Sequence, residues 1–294
     1  MSDVLVLGMA VVDFVMSMQS LPTEATKYRA DKARIVGGGV AANAACAIAR
    51  LGGAATLGAR LGDDPLGDLI LADLQKDGVD TTLVHRTPDG RSSFSSVYVD
   101  AAGERQIMNF RGEGLTETTG WISEAPRSRA VLVDTRWTEG AAAALDLARD
   151  WDVPGIVDGE APLDPVLMEK ATHLAFSRQG LRSVTGTGAI DAGLEMLARR
   201  YGNWICVTDG ANGVFYTTPN GIAHIPAFRV EVVDTLGAGD VWHGAFALSL
   251  AEGAGEPDAV RFANAAAALK CMTFGGRAGT PDRSAVQTIL KENE

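Results

Sequence analysis

Histidine and cysteine are scarce in this sequence, long apolar runs are missing, and each shortage excludes a class of protein. The four histidines show no metal-ligand spacing. The three cysteines lie far apart in apolar contexts, which predicts buried, reduced thiols and no disulfide or metal centre. No apolar run approaches the roughly 18 residues of a membrane-spanning helix, and residues 1–9 lack the basic segment of a secretory signal. We therefore expect a cytoplasmic protein without a membrane partner.

Positive charge is also in short supply. The 26 lysines and arginines are outnumbered by 37 aspartates and glutamates, and the net charge of −11 argues against a nucleic-acid partner. Any site for an anion must therefore be built from a local basic cluster. The chain contains no repeat and no linker rich in proline, glycine or serine, so we expect one domain over residues 1–294.

Short apolar runs alternate with helical patterns along most of the chain. The predicted strands are Val4–Leu7, Ala130–Val133, Gly155–Val157, His173–Phe176 and Trp204–Val207. The predicted helices are Ala41–Leu51, Leu66–Asp77, Gly140–Asp150 and Ala189–Tyr201. The strands are almost continuously apolar, as strands covered on both faces are. The alternation predicts an α/β fold with a mostly parallel sheet and helices on both sides.

Three further segments show the period-two polarity of exposed strands. They are Tyr28–Val36, Ser93–Val99 and Glu104–Phe110, with a hairpin turn between the last two. We interpret them as a small β-sheet that projects from the domain over a site, formed by segments at about 13–36 and 92–111. The alternative is an ordinary edge extension of the main sheet.

The strongest chemical signal is the sequence Asp-Thr-Leu-Gly-Ala-Gly-Asp at residues 234–240, which precedes a helical pattern. Gly237 and Gly239 let the backbone turn tightly beside a ligand, and the free N–H groups at the helix start favour an anion. The amides of Ala238 and Gly239 would stabilise a transferring phosphoryl group, and Asp240 would accept the proton of an alcohol. The alternative is a glycine-rich loop in which Asp240 is a helix cap.

A second glycine loop lies nearer the N-terminus. Residues 37–43 read Gly-Gly-Gly-Val-Ala-Ala-Asn and open the helix that ends near Leu51. Such a loop lets a sugar lie against the backbone, and Asn43 can donate to and accept from neighbouring hydroxyls. A dinucleotide site is disfavoured because the order G-x-G-x-x-G is absent, and a Walker-type loop is excluded because neither Gly-Lys-Ser nor Gly-Lys-Thr occurs.

Two single residues have positions that suggest a role. Asp13 follows the first predicted strand, at the edge where open α/β sheets bind ligands, although a lone aspartate is more often a cap or a surface charge. His243 lies one turn after Asp240 and could approach the site. A packed or surface histidine is the more common case.

Together the two glycine segments resemble the signatures of the ribokinase-like (PfkB) carbohydrate kinases. The first signature matches from Gly38 to Gly62 and the second from Asp234 to Ala245, and their order and separation also fit. The resemblance implies a ribokinase-like three-layer α/β/α sandwich with a small β-sheet lid, which is often used to form homodimers. It also implies ATP, Mg²⁺ and phosphoryl transfer to a primary alcohol.

The same resemblance implies a role for each matching residue. Asp240 would be the catalytic base and residues 237–239 the anion hole. The sugar would be bound by Asp13, Gly38, Gly39 and Asn43, and the nucleotide by Thr208, Gly210, Gly213, Asn264 and Gly276. The glycine loop at 275–279 matches a segment that can form a monovalent-cation (K⁺) site.

The chain departs from the family at one motif. Many members carry Asn-x-x-Glu after the strand that ends here near Phe176, where it helps to organise Mg²⁺ and phosphates. This chain has Ser-Arg-Gln-Gly at residues 177–180. The resemblance therefore does not identify the residues that handle the metal, while the base and the anion hole are unaffected.

Within the family, the chain looks most similar to kinases of 6-deoxy-6-sulfofructose. The similar stretches are residues 21–24, 27–28, 134–137, 268–271 and 275–279. The similarity implies that Lys27, Asn109 and Arg136 hold the sulfonate. Because Lys27 directly follows the predicted turn at Leu21–Thr26, we expect it at the base of the lid. With the sulfonate held there, the carbon-one hydroxyl would point to Asp240, so we expect the 1-phosphate as product. Alternative substrates are fructose and 2-keto-3-deoxygluconate. A catalytically silent sugar-binding regulator is the alternative from another class, and the intact Asp240 argues against it.

Overall fold

The structure is a computed structural model that describes residues 3–293. The strands of this part of the chain are β1 (Asp3–Leu7), β2 (Val11–Ser17), β3 (Lys32–Gly38), β4 (Ala54–Gly62), β5 (Val84–Thr87), β6 (Phe94–Val99), β7 (Arg105–Phe110), β8 (Ala130–Val133), β9 (Gly155–Gly159), β10 (His173–Ser177), β11 (Trp204–Thr208), β12 (Val214–Thr218) and β13 (Gly221–Ile225). The helices are α1 (Val40–Arg50), α2 (Pro65–Lys76), α3 (Thr138–Trp151), α4 (Pro165–Lys170), α5 (Arg178–Thr185), α6 (Ile190–Tyr201), α7 (Ala238–Ala251), α8 (Glu256–Cys271) and α9 (Arg283–Glu292).

The main sheet has the strand order β13-β12-β11-β10-β9-β8-β1-β4-β5. Its strands from β11 to β5 are parallel, and β12 and β13 add an antiparallel edge. The chain leaves β1 toward β4 on one side and later returns to β8 on the other. The carboxyl ends of β1 and β8 therefore form a topological switch point, where open α/β sheets bind their ligands.

Helices cover both faces of this sheet, and each face has its own hydrophobic core. One core lies under α1, α2, α7, α8 and α9, and the other lies under α3, α4, α5 and α6. This arrangement confirms the predicted three-layer α/β/α architecture. Within residues 3–293, no helix combines the length and the apolar character needed to cross a membrane.

A separate four-stranded sheet of order β3-β2-β6-β7, called the lid below, projects from the switch point. Its existence excludes an edge extension of the main sheet, and the hairpin between β6 and β7 lies as predicted. The predicted strand Tyr28–Val36 is displaced: the strand begins at Lys32, and its partner β2 went unrecognised.

The position of Lys27 also differs from the prediction. The lid joins the main domain where Val11 pairs with Gly38, whereas Lys27 lies in the loop after Ser17, which pairs with Lys32 at the opposite end. Lys27 is thus at the far end of the lid and not at its base. The prediction placed the turn at Leu21–Thr26 at the base of the lid because β2, which carries the chain away from the domain, had not been identified.

Candidate active site

The start of α7 is the place where the sequence predicts an anion hole of backbone amides. Gly237 precedes the helix in a left-handed conformation, with φ of 74°, which favours glycine. The amide of Ala238 donates to the Thr235 carbonyl at 3.2 Å, whereas those of Gly239 and Asp240 have no partner among the described residues. The first amides of a helix lack acceptors within the helix. The free donors are therefore the amides of Gly239 and Asp240, and the predicted binding of an anion by Ala238 and Gly239 stays a prediction.

Asp240 lies in the first turn of α7, half-buried beside these amides. Its Oδ2 accepts a bond from Asn43 Nδ2 at 2.6 Å. Burial of the carboxyl raises the pKa of Asp240 to about 7; Asn43 opposes the shift, and the negative charges of Asp158 and Glu160 add to it. A carboxyl group with this pKa is ionised above neutral pH and becomes protonated as the pH falls through about 7.

A buried ion pair lies behind Asp240. His243 Nδ1 is 3.0 Å from Asp158 Oδ2, and its Nε2 is 3.2 Å from the Ala175 carbonyl oxygen. Burial alone would lower the pKa of His243, but Asp158 raises it to about 9. His243 is therefore a packed, charged histidine that partly offsets the negative charge around Asp240.

Asn43 has one free acceptor that faces no protein donor. Its Nδ2 is bonded to Asp240, but its buried Oδ1 has no partner among the described residues. Buried polar atoms are rarely left unpaired, so this oxygen indicates a place for a ligand hydroxyl. A Cβ at Gly239 would meet no atom within 4 Å, so space for a ligand is open beside Asp240.

Asp13 belongs to the lid and not to a helix cap. It lies on β2, and a Cβ added at Gly38 would approach its Oδ2 to 2.4 Å, which explains the glycine there. Asp13 pairs with Ser95, and Ser95 pairs with Asn109, so the three side chains share one face of the lid. Asn109 Nδ2 donates to Ser95 Oγ at 3.1 Å. The lid therefore presents a continuous polar row that begins at the sugar candidates.

Arg136 lies at the switch point, as the sequence predicts, but it has a partner. Its Nη2 forms a 2.5 Å ion pair with Glu160 Oε2, and its Nη1 contacts the Ala161 carbonyl. Asn109 uses its amide for Ser95 and for the Phe94 carbonyl. Lys27, at the far end of the lid, has no carboxylate partner among the described residues. The structure does not bring these three residues into contact.

Three of the predicted nucleotide residues lie at the end of β11. Thr208 closes that strand, and Gly210 and Gly213, with φ of 55° and 93°, form the turn into β12. A Cβ at Gly213 would lie 2.2 Å from the Ile225 carbonyl oxygen, so glycine is required there. Asn264 is buried on α8, where it accepts from Trp242 and donates to the Pro226 carbonyl. It positions the neighbouring chain, and its contact with adenine stays a prediction.

Two contacts join the lid to the nucleotide side. Arg105 on β7 forms a 3.1 Å ion pair with Asp234, and the guanidinium of Arg34 lies over the ring of Phe274. Asp234 Oδ2 also accepts the amides of Gly275, at 3.0 Å, and Gly276, at 3.4 Å. Sequence reasoning missed Arg105, Asp158 and Glu160, because each acts through a partner far away in the chain.

A model of the pfkB family carbohydrate kinases matches residues 1–283. The chain belongs to this family. It is therefore an ATP-dependent carbohydrate kinase. Ribokinase of Bacillus subtilis (strain 168) is 30% identical over 295 residues, which cover 99% of this chain and 100% of that protein. Probable fructokinase-5 of Arabidopsis thaliana is 27% identical, covering 86% and 88%.

Solved structures support the same family. A protein from Agrobacterium tumefaciens, assigned provisionally as a ribokinase, matches with a TM-score of 0.90 and 36% identity, covering 99% of this chain and 98% of that one. Arabidopsis thaliana ribokinase, solved with ribose and ATP, matches with a TM-score of 0.87 and 23% identity, covering 99% and 98%. At this identity the second match supports the fold alone.

PfkB kinases use ATP with Mg²⁺, and the acidic residues of this site fit a metal that arrives with the nucleotide. Residues 3–293 contain no cluster of three His, Cys, Asp or Glu side chains arranged to hold a metal. Mg²⁺ in kinases is commonly bound by one or two carboxylates together with the substrate phosphates. Glu160 has a 45% exposed side chain and is close enough to raise the pKa of Asp240. Glu160 is therefore one carboxylate that could take the metal when the nucleotide binds.

Proposed function

We propose that this kinase phosphorylates the carbon-one hydroxyl of 6-deoxy-6-sulfofructose, with ATP as donor. The observation that carries the proposal is Arg136, a half-buried arginine at the switch point whose only carboxylate partner among the described residues is the exposed Glu160. Arginine binds two oxygens of a tetrahedral anion at once. The sulfonate end of the sugar would lie at Arg136 and Asn109, and the hydroxyl end at Asp240.

The transfer step uses the geometry around α7. Asp240 accepts the proton of the sugar hydroxyl as that oxygen bonds to the γ-phosphorus of ATP, and the phosphorus–oxygen bond to ADP breaks. The amides of Gly239 and Asp240 stabilise the charge on the moving phosphoryl group. When bound, Mg²⁺ would neutralise part of the phosphate charge. Asn43 holds the Asp240 carboxylate in place and offers Oδ1 to a sugar hydroxyl.

The charge of the site favours a sulfonate over a phosphate. Binding a sulfonate at Arg136 exchanges one singly charged partner, Glu160, for another of the same charge. A phosphate dianion would add a second negative charge close to Asp134 and Asp158, both buried, at a cost that one arginine only partly offsets. A neutral ketose would leave the ion pair between Arg136 and Glu160 intact and would gain no binding energy from Arg136.

Ribose is the second candidate substrate. It is supported by the relatives, since the Bacillus subtilis protein that is 30% identical over the full chain is a ribokinase. The parts that would act on a primary alcohol, Asp240 and the amides of α7, serve either sugar equally. The two candidates differ in whether Arg136 and Asn109 contact the substrate.

A coupled assay of ADP release over a sugar panel separates these candidates. The panel contains 6-deoxy-6-sulfofructose, fructose, fructose 6-phosphate, ribose and 2-keto-3-deoxygluconate. We expect kcat/KM for the sulfosugar to exceed that for every other sugar by about tenfold or more, the scale of one charge-assisted contact. The position of the new phosphate is read by NMR. A preference for ribose would transfer the assignment to the second candidate, and no ADP release with any sugar would favour the silent regulator.

We also propose that the lid forms a homodimer through its outer face. Ile35, Phe14, Ser96 and Met108 lie in one paired row on the face opposite Asp13. Ile35 and Met108 are 58% and 72% exposed, and exposed apolar patches commonly mark interfaces.

Light scattering should give twice the 30.7 kDa of one chain, and Met108→Lys should lower this mass. Met196→Lys, on exposed α6, is the matched control. A single-chain mass for the wild type would contradict the proposal.

A further inference from the structure

Lys270, in the last turn of α8, is a fully buried lysine. Its side chain is 0% exposed. The ammonium Nζ donates to the backbone carbonyl oxygen of Asp234 at 2.7 Å and lies 3.7 Å from Asp234 Oδ2. A buried charge is costly unless it is paired and hydrogen-bonded. Lys270 therefore belongs to a built arrangement whose centre is Asp234.

Asp234 is the first residue of the anion-hole loop, which runs to Gly239. Its Oδ1 accepts the amide of Leu236 at 2.9 Å and a bond from Arg105 at 3.1 Å. Its Oδ2 accepts the amides of Gly275 and Gly276. Burial would raise the pKa of Asp234, but the bonds from the amides of Gly275, Leu236 and Gly276, together with the charge of Lys270, lower it to about 2. The carboxylate is thus ionised and surrounded by donors.

The end of α8 is attached to the same loop by its backbone. The amides of Val233 and Asp234 donate to the Cys271 carbonyl oxygen at 2.8 and 3.0 Å. Lys270 adds a third link, from its side chain to the Asp234 carbonyl. The position of the anion-hole amides therefore depends on the contacts at the end of α8.

The resemblance to the family places a K⁺ site at the glycine loop 275–279, and the residues present do not fit it. The anion that such a cation would face is Asp234, whose carboxylate bonds this loop. Both carboxylate oxygens already have donors, and the Asp234 carbonyl is bonded to Lys270. The positive charge beside Asp234 is supplied by the side chain of Lys270.

We propose that the ammonium group of Lys270 is a built-in substitute for a monovalent cation, which positions the anion-hole loop without K⁺. Lys270 is a positioning residue, since it acts through Asp234 and touches no reacting atom. The simpler alternative is a buried ion pair that supports only the fold. The two differ in their response to cations, because a lysine that supports only the fold can be replaced without a loss of turnover that K⁺ restores.

The test compares the wild type with Lys270→Ala and Lys270→Met. Lys270→Ala removes the charge and leaves space, while Lys270→Met removes the charge and fills most of the space. Initial rates are measured in KCl and in tetramethylammonium chloride at equal ionic strength, with the sugar that the panel selects. Thermal unfolding is recorded in both salts without substrate, so this readout does not depend on which sugar is phosphorylated.

We expect the wild type to show the same kcat and the same Tm in both salts. In tetramethylammonium chloride, Lys270→Ala should lose roughly tenfold in kcat, the scale of a small displacement of catalytic groups. KCl should restore much of this loss and raise the Tm of Lys270→Ala, but not of Lys270→Met. The inference rests only on the kinase chemistry and not on the sulfosugar. It is overturned if K⁺ activates the wild type severalfold, a result that requires no variant to fold, or if Lys270→Ala keeps full turnover without K⁺.

Discussion

Asp240→Asn should lower kcat by about 10²–10⁴-fold, the range for loss of a general base. Asparagine keeps the shape of the side chain and can still accept the bond that Asn43 donates to Asp240 at 2.6 Å. It cannot take the proton of the sugar hydroxyl. The measurement is the initial rate of ADP release at saturating sugar and ATP, with ligand affinities obtained by calorimetry.

The pH profile provides a second readout for the same variant. Because the pKa of Asp240 is raised to about 7, kcat/KM of the wild type should fall about tenfold per pH unit below that value. The residual activity of Asp240→Asn should not show this decrease below pH 7. Asp191→Asn, on the exposed start of α6, is the matched control and should behave as the wild type. Near-normal turnover of Asp240→Asn would reduce Asp240 to a helix cap.

Arg136→Ala should lower kcat/KM for 6-deoxy-6-sulfofructose by about 2–3 kcal/mol, or roughly 30- to 150-fold. The substitution removes the group proposed to hold the sulfonate and leaves Glu160 without its partner. Turnover of fructose should change little, since a neutral sugar has nothing to pair with Arg136. The measurement is kcat/KM for both sugars with the same enzyme preparation.

Two further variants separate anion binding from support of the fold. Arg149→Ala removes an arginine whose side chain is 66% exposed and paired with Asp146, and it should leave both sugars unaffected because surface pairs contribute little. Glu160→Gln leaves Arg136 without its carboxylate partner and should bind the sulfosugar at least as tightly. Equal losses for sulfosugar and fructose in Arg136→Ala would show that Arg136 supports the fold, and the sulfonate assignment would fall.

The central strands were predictable because they are buried on both faces and therefore consist of consecutive apolar residues. Each of the five predicted strands lies within an observed one, as Val4–Leu7 lies within β1. The helix starting after Gly237 was also predictable, since a glycine turn before an apolar run is a local signal. The edge strands β12 and β13 were missed because each has only five residues and no long apolar run: β12 ends in Thr217 and Thr218, and His224 interrupts β13.

The chemistry of the site was predictable only where one segment carries it. Asp240 was identified because it stands in a continuous motif, whereas its contact with Asn43 of the other glycine loop was not predicted. The ion pairs of Asp158 with His243 and of Arg136 with Glu160 join residues far apart in the chain. No local sequence pattern predicts such pairs. Lys27 was misplaced for a related reason: its distance from the site depends on the course of β2, which the sequence left undetected.

The carboxylate of Asp234 connects the lid, beside the predicted sugar site, with the glycine loop beside the predicted nucleotide site. It bonds Arg105 of the lid on one oxygen and the amides of Gly275 and Gly276 on the other. If sugar displaces the lid, the environment of the glycine loop at Gly275 and Gly276 would change as well. Such coupling is reciprocal by thermodynamic necessity. Whatever factor bound sugar introduces into the affinity for ATP, bound ATP must introduce into the affinity for sugar.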